Sequence, residues 1–87
     1  MPIWHLYLIE CTDGSYYAGI STDVARRFAQ HLAGDGARYT RSHPPVRLLG
    51  SAACGSRSAA LKAELALKKL PKGQKLDALL RLAETAV

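Results

Sequence analysis

The chain has 87 residues, of which 48% are hydrophobic and 22% charged. That is enough for one domain with one modest core, 1–87, and excludes both a second domain and intrinsic disorder. The formal net charge of +5 favours a polyanionic partner without requiring one.

Trp4 to Cys11 is dense in aromatic and apolar types and runs into the turn cluster Thr12-Asp13-Gly14, after which Ser15 to Ile20 is again strand-like. A β-hairpin is expected. His5, Leu6, Tyr7, Leu8 and Ile9 leave no polar face, so the sheet should be covered on both sides. Ser21-Thr22-Asp23 then offers N-cap chemistry to a helix from about Asp23 to Leu32, with Val24, Phe28 and Leu32 as its apolar stripe and Gly34 as its stop. Arg27 and His31, four apart, fall together on another face of that helix. Gly34, Gly36 and Pro44-Pro45 mark an irregular loop carrying Arg38, Tyr39, Arg41 and His43. Val46 to Cys54 reads as a third strand. Ser56 or Ser58 caps a second helix that runs to Leu70, stopped by Pro71. A third helix, about Gln74 to Ala86, buries Leu76, Leu79, Leu80 and Ala83. The order is ββαβαα, an α+β layout: a small three-stranded antiparallel sheet flanked by helices.

No stretch approaches the roughly 20 apolar residues of a membrane-spanning helix, so no membrane association is expected. The N-terminus lacks the basic and apolar regions of a secretory signal, and a cytoplasmic address is expected. Cys11 and Cys54 read as reduced core residues.

Several side chains could carry chemistry. Tyr7 and Tyr17 lie on paired strands and can approach each other, although a strand tyrosine alone reads equally well as a core or rim residue. Arg27 and His31 would border these phenols if the helix packs on the hairpin, and would otherwise be solvated. Glu64 falls between apolar neighbours on its helix. It is either the i,i+4 partner of Lys68 or an isolated carboxylate suited to Mg²⁺. Between Arg26 and Arg57 every Lys/Arg position is arginine, against the single acid Asp35, and arginine's planar fork suits phosphate. Arg38-Tyr39-Thr40-Arg41 interleaves basic and aromatic types in a way that suits a flexible nucleic-acid strand, although loops are polar by default. Zinc spacing, a phosphate-binding glycine motif and a nucleophile elbow are all missing.

With His5-Leu6-Tyr7 where a first triad would stand, Tyr17-Ala18-Gly19 where a second would stand, and Asp23 to His31 carrying arginine and histidine four apart, the chain resembles the GIY-YIG nuclease superfamily over nearly its whole length. The stretch Gly36 to Arg41 followed by Pro45-Val46 is similar to the small stand-alone bacterial members and to the nuclease part of Slx-type structure-specific endonucleases. His5 replaces the first triad's glycine, Ala18 replaces the second triad's isoleucine, and the family's later asparagine has no counterpart.

The resemblance implies a GIY-YIG fold and a metal-dependent endonuclease that hydrolyses phosphodiester bonds in DNA, structure-selective rather than sequence-specific, in DNA repair or processing. Tyr7, Tyr17, Arg27 and His31 would be catalytic, with Tyr7 as the base, and Glu64 would hold Mg²⁺ or Mn²⁺. Arg26, Arg38, Tyr39 and Arg41 would bind nucleic acid. Arg27 and the metal are expected to lower the Tyr7 pKa. The choice between DNA and RNA, and the need for a targeting protein partner, stay open. The alternative is a nucleic-acid-binding module of the same fold with weak or no turnover.

Overall fold

A computed structural model describes residues 2–85. The elements are β1 (Trp4–Cys11), β2 (Tyr16–Ser21), α1 (Val24–Leu32), α2 (Arg38–Ser42), β3 (Pro45–Gly55), α3 (Arg57–Lys68) and α4 (Lys72–Thr85). The strands form one antiparallel sheet in the order β2-β1-β3, with β1 in the centre. The expected α+β layout is present, with a five-residue helix, α2, inside what reads as an irregular loop.

The hairpin closes because Asp13 can fold back on its own turn. Its Oδ1 accepts from the Ser15 amide at 3.0 Å and from the Ser15 hydroxyl at 2.6 Å. Gly14 supplies φ +84°, which a side chain would resist. Asp23 caps α1 by accepting from the Arg26 amide at 3.1 Å. Ser56 rather than Ser58 caps α3, accepting from the Ala59 amide at 3.1 Å. α3 stops at Lys68 instead of Leu70, and α4 begins at Lys72, two residues before the expected Gln74. The expected last helical residue, Ala86, lies outside the described residues.

Both faces of the sheet are covered, as the missing polar alternation requires. On one face Leu6, Leu8, Ala18 and Ala52 pack with Leu67 of α3 and Leu79 of α4. On the other, Tyr7, Ile9 and Cys11 pack with Tyr17, Leu48 and, from α1, Val24 and Phe28. Cys11 and Cys54 are free thiols, and burial pushes the Cys11 thiol up.

Two apolar stripes differ from expectation. Leu32 is 56% exposed while His31 is 1% exposed. A residue eight positions on from Val24 has rotated about 80° around a 3.6-residue helix, whereas one seven positions on lies within about 20° of it. The buried face of α1 is therefore Val24, Arg27, Phe28 and His31, and the Arg27/His31 pair joins the apolar stripe instead of facing away. On α4, Leu79 is buried and Leu80 is exposed.

Candidate active site

β1 presents His5, Tyr7, Ile9 and Cys11 to the α1 side of the sheet, by the two-residue period of a strand. In the antiparallel register Tyr7 lies opposite Gly19 and Ile9 opposite Tyr17, so the two phenols are diagonal neighbours on one face. Gly19 is needed for room rather than for backbone freedom: a Cβ there would fall on the hydroxyl and ring of Tyr7. The glycine of the second triad thus creates the slot in which the first tyrosine sits.

His31 enters from α1 between the phenols. Its ring centroid is 5.9 Å from that of Tyr7 and 5.3 Å from that of Tyr17, the latter edge-on. The Tyr7 hydroxyl lies 2.9 Å from His31 Nε2, and His31 Nδ1 lies 2.6 Å from the Thr40 hydroxyl. Thr40 is also sealed, and its hydroxyl donates to the Ala37 carbonyl at 3.0 Å. A continuous chain of hydrogen bonds therefore runs from the Tyr7 phenol through the imidazole to the backbone before α2.

Around this chain stand two charges. Arg27, half-buried, donates to the Gln30 side chain at 3.0 Å, and its charge and hydrogen bonding act on Tyr7. The Glu64 side chain keeps 17% of its exposure on α3, with Lys68 at 3.7 Å on its outer side. Its charge is felt by both Tyr7 and Tyr17. Glu64 thus makes the ordinary i,i+4 pair and also acts electrostatically on the two phenols.

Of the two cations expected to lower the Tyr7 pKa, the protein's own, Arg27, pulls it down but is outweighed. Burial, and next the proximity of Tyr17, push Tyr7 up to about 12, and the opposing pull of Arg27 does not overcome them. Burial likewise raises Tyr17 and lowers His31, the latter helped by Arg27. Burial thus favours the neutral forms of Tyr7, Tyr17 and His31 alike.

On the outer side the Tyr39 ring stacks on Tyr17 at 5.7 Å and on His43 at 4.1 Å. The Tyr39 hydroxyl donates to Ser15 Oγ at 2.6 Å, and His43 lies 3.7 Å from Asp13. Tyr39 is thus in contact with two protein rings while remaining 36% exposed. Arg26, Arg38 and Arg41 are on the surface of α1 and α2.

The structure brings Tyr7, Tyr17, Arg27 and His31 together, sets Glu64 within electrostatic reach, and leaves those three arginines facing outward. Sequence reasoning passed over Thr40, because a threonine between two arginines reads as solvated. His5, where the family's first glycine stands, has a buried Nδ1 without a hydrogen-bond partner among the described residues. No group of three or more His, Cys, Asp or Glu residues able to hold a metal occurs among them either. A cation here would have one protein carboxylate, Glu64, with the rest of its shell water and phosphate. That donor set fits Mg²⁺, which keeps several waters and binds through one or two carboxylates. No helix of the described residues is long and apolar enough to cross a membrane.

The chain is similar to known proteins in both sequence and fold. The family model for the GIY-YIG catalytic domain matches residues 3–77. A UPF0213 protein of Cupriavidus pinatubonensis is 64% identical over 73 residues, covering 84% of this chain and 81% of that one. One from Xanthomonas axonopodis is 58% identical over 73 residues, covering 84% and 72%. A solution NMR structure of an E. faecalis protein matches with a TM-score of 0.62 at 37% identity, covering 93% of this chain and 86% of that one. The solution NMR structure of a UPF0213 protein from Bacillus halodurans matches with a TM-score of 0.55 at 36% identity, covering 95% and 88%.

Proposed function

The chain belongs to the GIY-YIG catalytic-domain family, and on that premise we propose that it is a metal-dependent endonuclease that hydrolyses phosphodiester bonds in DNA. It acts as one domain spanning 1–87, in the cytoplasm, in DNA repair or processing. The observation that carries this reading is the Tyr7 hydroxyl held 2.9 Å from a neutral, buried His31, with Arg27 beside it and Glu64 within reach of its charge.

In the mechanism this supports, a water oxygen attacks phosphorus as its proton passes to Tyr7 and the Tyr7 proton passes to His31 Nε2, while the bond from phosphorus to the leaving ester oxygen breaks and that oxygen takes a proton from solvent water. With Tyr7 at about 12, a preformed phenolate at pH 7 costs ~7 kcal/mol. Burial also disfavours the charged form of His31, so passing the Tyr7 proton to the imidazole is uphill as well. Neither ionised species accumulates, so the two transfers accompany formation of the oxygen–phosphorus bond. Arg27 neutralises charge on the non-bridging oxygens. Glu64 would hold a divalent cation, Mg²⁺ or Mn²⁺, which when bound would supply positive charge for the phosphate and the leaving oxygen. Arg26, Arg38 and Arg41 take the backbone of the strand, with structure preference rather than base readout. Tyr39 supports that surface through its stack on Tyr17 and His43.

One observation favours a binding module without turnover: Tyr7 is only 1% exposed, which narrows the approach of a water. Cleavage of labelled branched, single-stranded and duplex DNA, and of RNA, with Mg²⁺ or Mn²⁺ separates the two. Metal-dependent products that disappear in Tyr7→Phe and Glu64→Gln uphold the nuclease. Salt-sensitive binding without products leaves the binding module.

A further inference from the structure

His31 sits between two oxygen partners, and a neutral imidazole has one N–H and one bare nitrogen. Which nitrogen is bare decides the chemistry. With the proton on Nδ1, Nε2 can take the Tyr7 proton; with the proton on Nε2, His31 can only donate to the Tyr7 oxygen. The partner on the far side of the ring makes that choice.

We propose that Thr40 is a positioning residue, whose hydroxyl holds His31 in the Nδ1–H tautomer and so keeps Nε2 bare toward Tyr7. A hydroxyl has a single proton. The Ala37 carbonyl can only accept, and it stands 3.0 Å from Thr40 Oγ1, so the threonine proton is directed there. The lone pairs of Oγ1 then face His31 Nδ1 at 2.6 Å, which makes Nδ1 the donor. The reverse polarity would set Oγ1 and the carbonyl oxygen against each other at 3.0 Å with no proton between them, at a residue only 1% exposed.

The ring cannot easily rotate out of this arrangement. Gly36 lies so close that a Cβ there would meet His31 Nδ1 and Cγ. Thr40 is itself placed by α2, which Tyr39 fastens to the hairpin through its ring stack and its hydrogen bond to Ser15. The short helix inside the loop thus sets the direction in which the site moves a proton. The catalytic part of this role rests on the nuclease reading, whereas the tautomer can be measured apart from it.

The test uses the full chain with ¹⁵N-labelled histidine and long-range ¹H–¹⁵N correlation, comparing wild type, Thr40→Val and Thr40→Ser. Wild type and Thr40→Ser are expected to show a protonated Nδ1 and a pyridine-like Nε2 at His31, and Thr40→Val a shift toward Nε2–H. In parallel, cleavage of labelled branched DNA with Mg²⁺ should fall about 10- to 100-fold in kcat in Thr40→Val, with KM little changed, and recover in Thr40→Ser. Thermal unfolding identifies a Val variant that has merely lost its fold, and then the Ser variant and the wild-type tautomer carry the test. An Nε2–H signal in the wild type, or a folded Val variant with wild-type tautomer and kcat, overturns the proposal. A wild type that cleaves nothing but shows the expected tautomers refutes the nuclease reading and upholds the hold of Thr40 on His31.

Discussion

Raising the pH from neutral toward 12 titrates Tyr7 against its own burial, and the consequences can be worked out before the experiment. The folded-state value of about 12 lies above the ordinary tyrosine value near 10, so the folded chain binds this proton more tightly than the unfolded one. The stabilisation is fully present below pH ~10 and is lost as the pH rises through about 12. The gap corresponds to ~3 kcal/mol, a large fraction of the roughly 5–15 kcal/mol by which small domains are stable. Following the ring carbons of the four tyrosines by NMR across this range, with Tyr7→Phe to assign the resonance, reads the ionisation directly. Tyr7 should be the last or among the last to ionise, and denaturant midpoints should decline over the same interval. In Tyr7→Phe that Tyr7-linked decline should be missing. A Tyr7 that ionised at or below pH 10 would refute the argument that burial outweighs Arg27.

Three other outcomes follow from the geometry. Glu64→Gln should abolish metal-dependent cleavage yet change the unfolding free energy by no more than about 0.5 kcal/mol, because its pairing with half-exposed Lys68 is a loose 3.7 Å interaction. Gly19→Ala should cost about 1–3 kcal/mol in denaturant unfolding by driving a methyl group against the Tyr7 ring, and a smaller residue at position 7 should recover much of that loss in a double-mutant cycle. Arg38→Ala and Arg41→Ala should each weaken binding to duplex DNA and flatten the dependence of log affinity on log salt by about 0.9, the change expected when one phosphate is no longer neutralised; unchanged slopes would remove both residues from the interface.

The sequence is most legible where a local rule acts alone. Asp13-Gly14 dictates its turn, Asp23 its cap, and the unbroken apolar run through β1 announces a sheet covered on both faces. The i,i+4 spacing of Arg27 and His31 groups them correctly but misplaces their face, because the eye prefers Leu32 for the core and the helix prefers His31. Both ring nitrogens of the buried His31 find partners, and one of those partners, Thr40, comes from a short helix with no apolar period to reveal it. The raised Tyr7 pKa is hidden for a similar reason. Cation spacing can be read along a chain, but the desolvation that outweighs it exists only after packing.

The connection between α1 and β3 is held at several points: the Thr12 amide on the Pro44 carbonyl at 2.8 Å, Tyr39 on Ser15, Thr40 on His31, and the column of rings from Tyr17 to His43. A loop fastened in this way has already given up its conformational freedom when the chain folds. Docking a strand against it therefore carries little ordering entropy and should lack the large negative heat-capacity change of coupled folding and binding. Calorimetry of the complex would see a preformed surface, and encounter should be set by charge and diffusion rather than by a loop finding its shape.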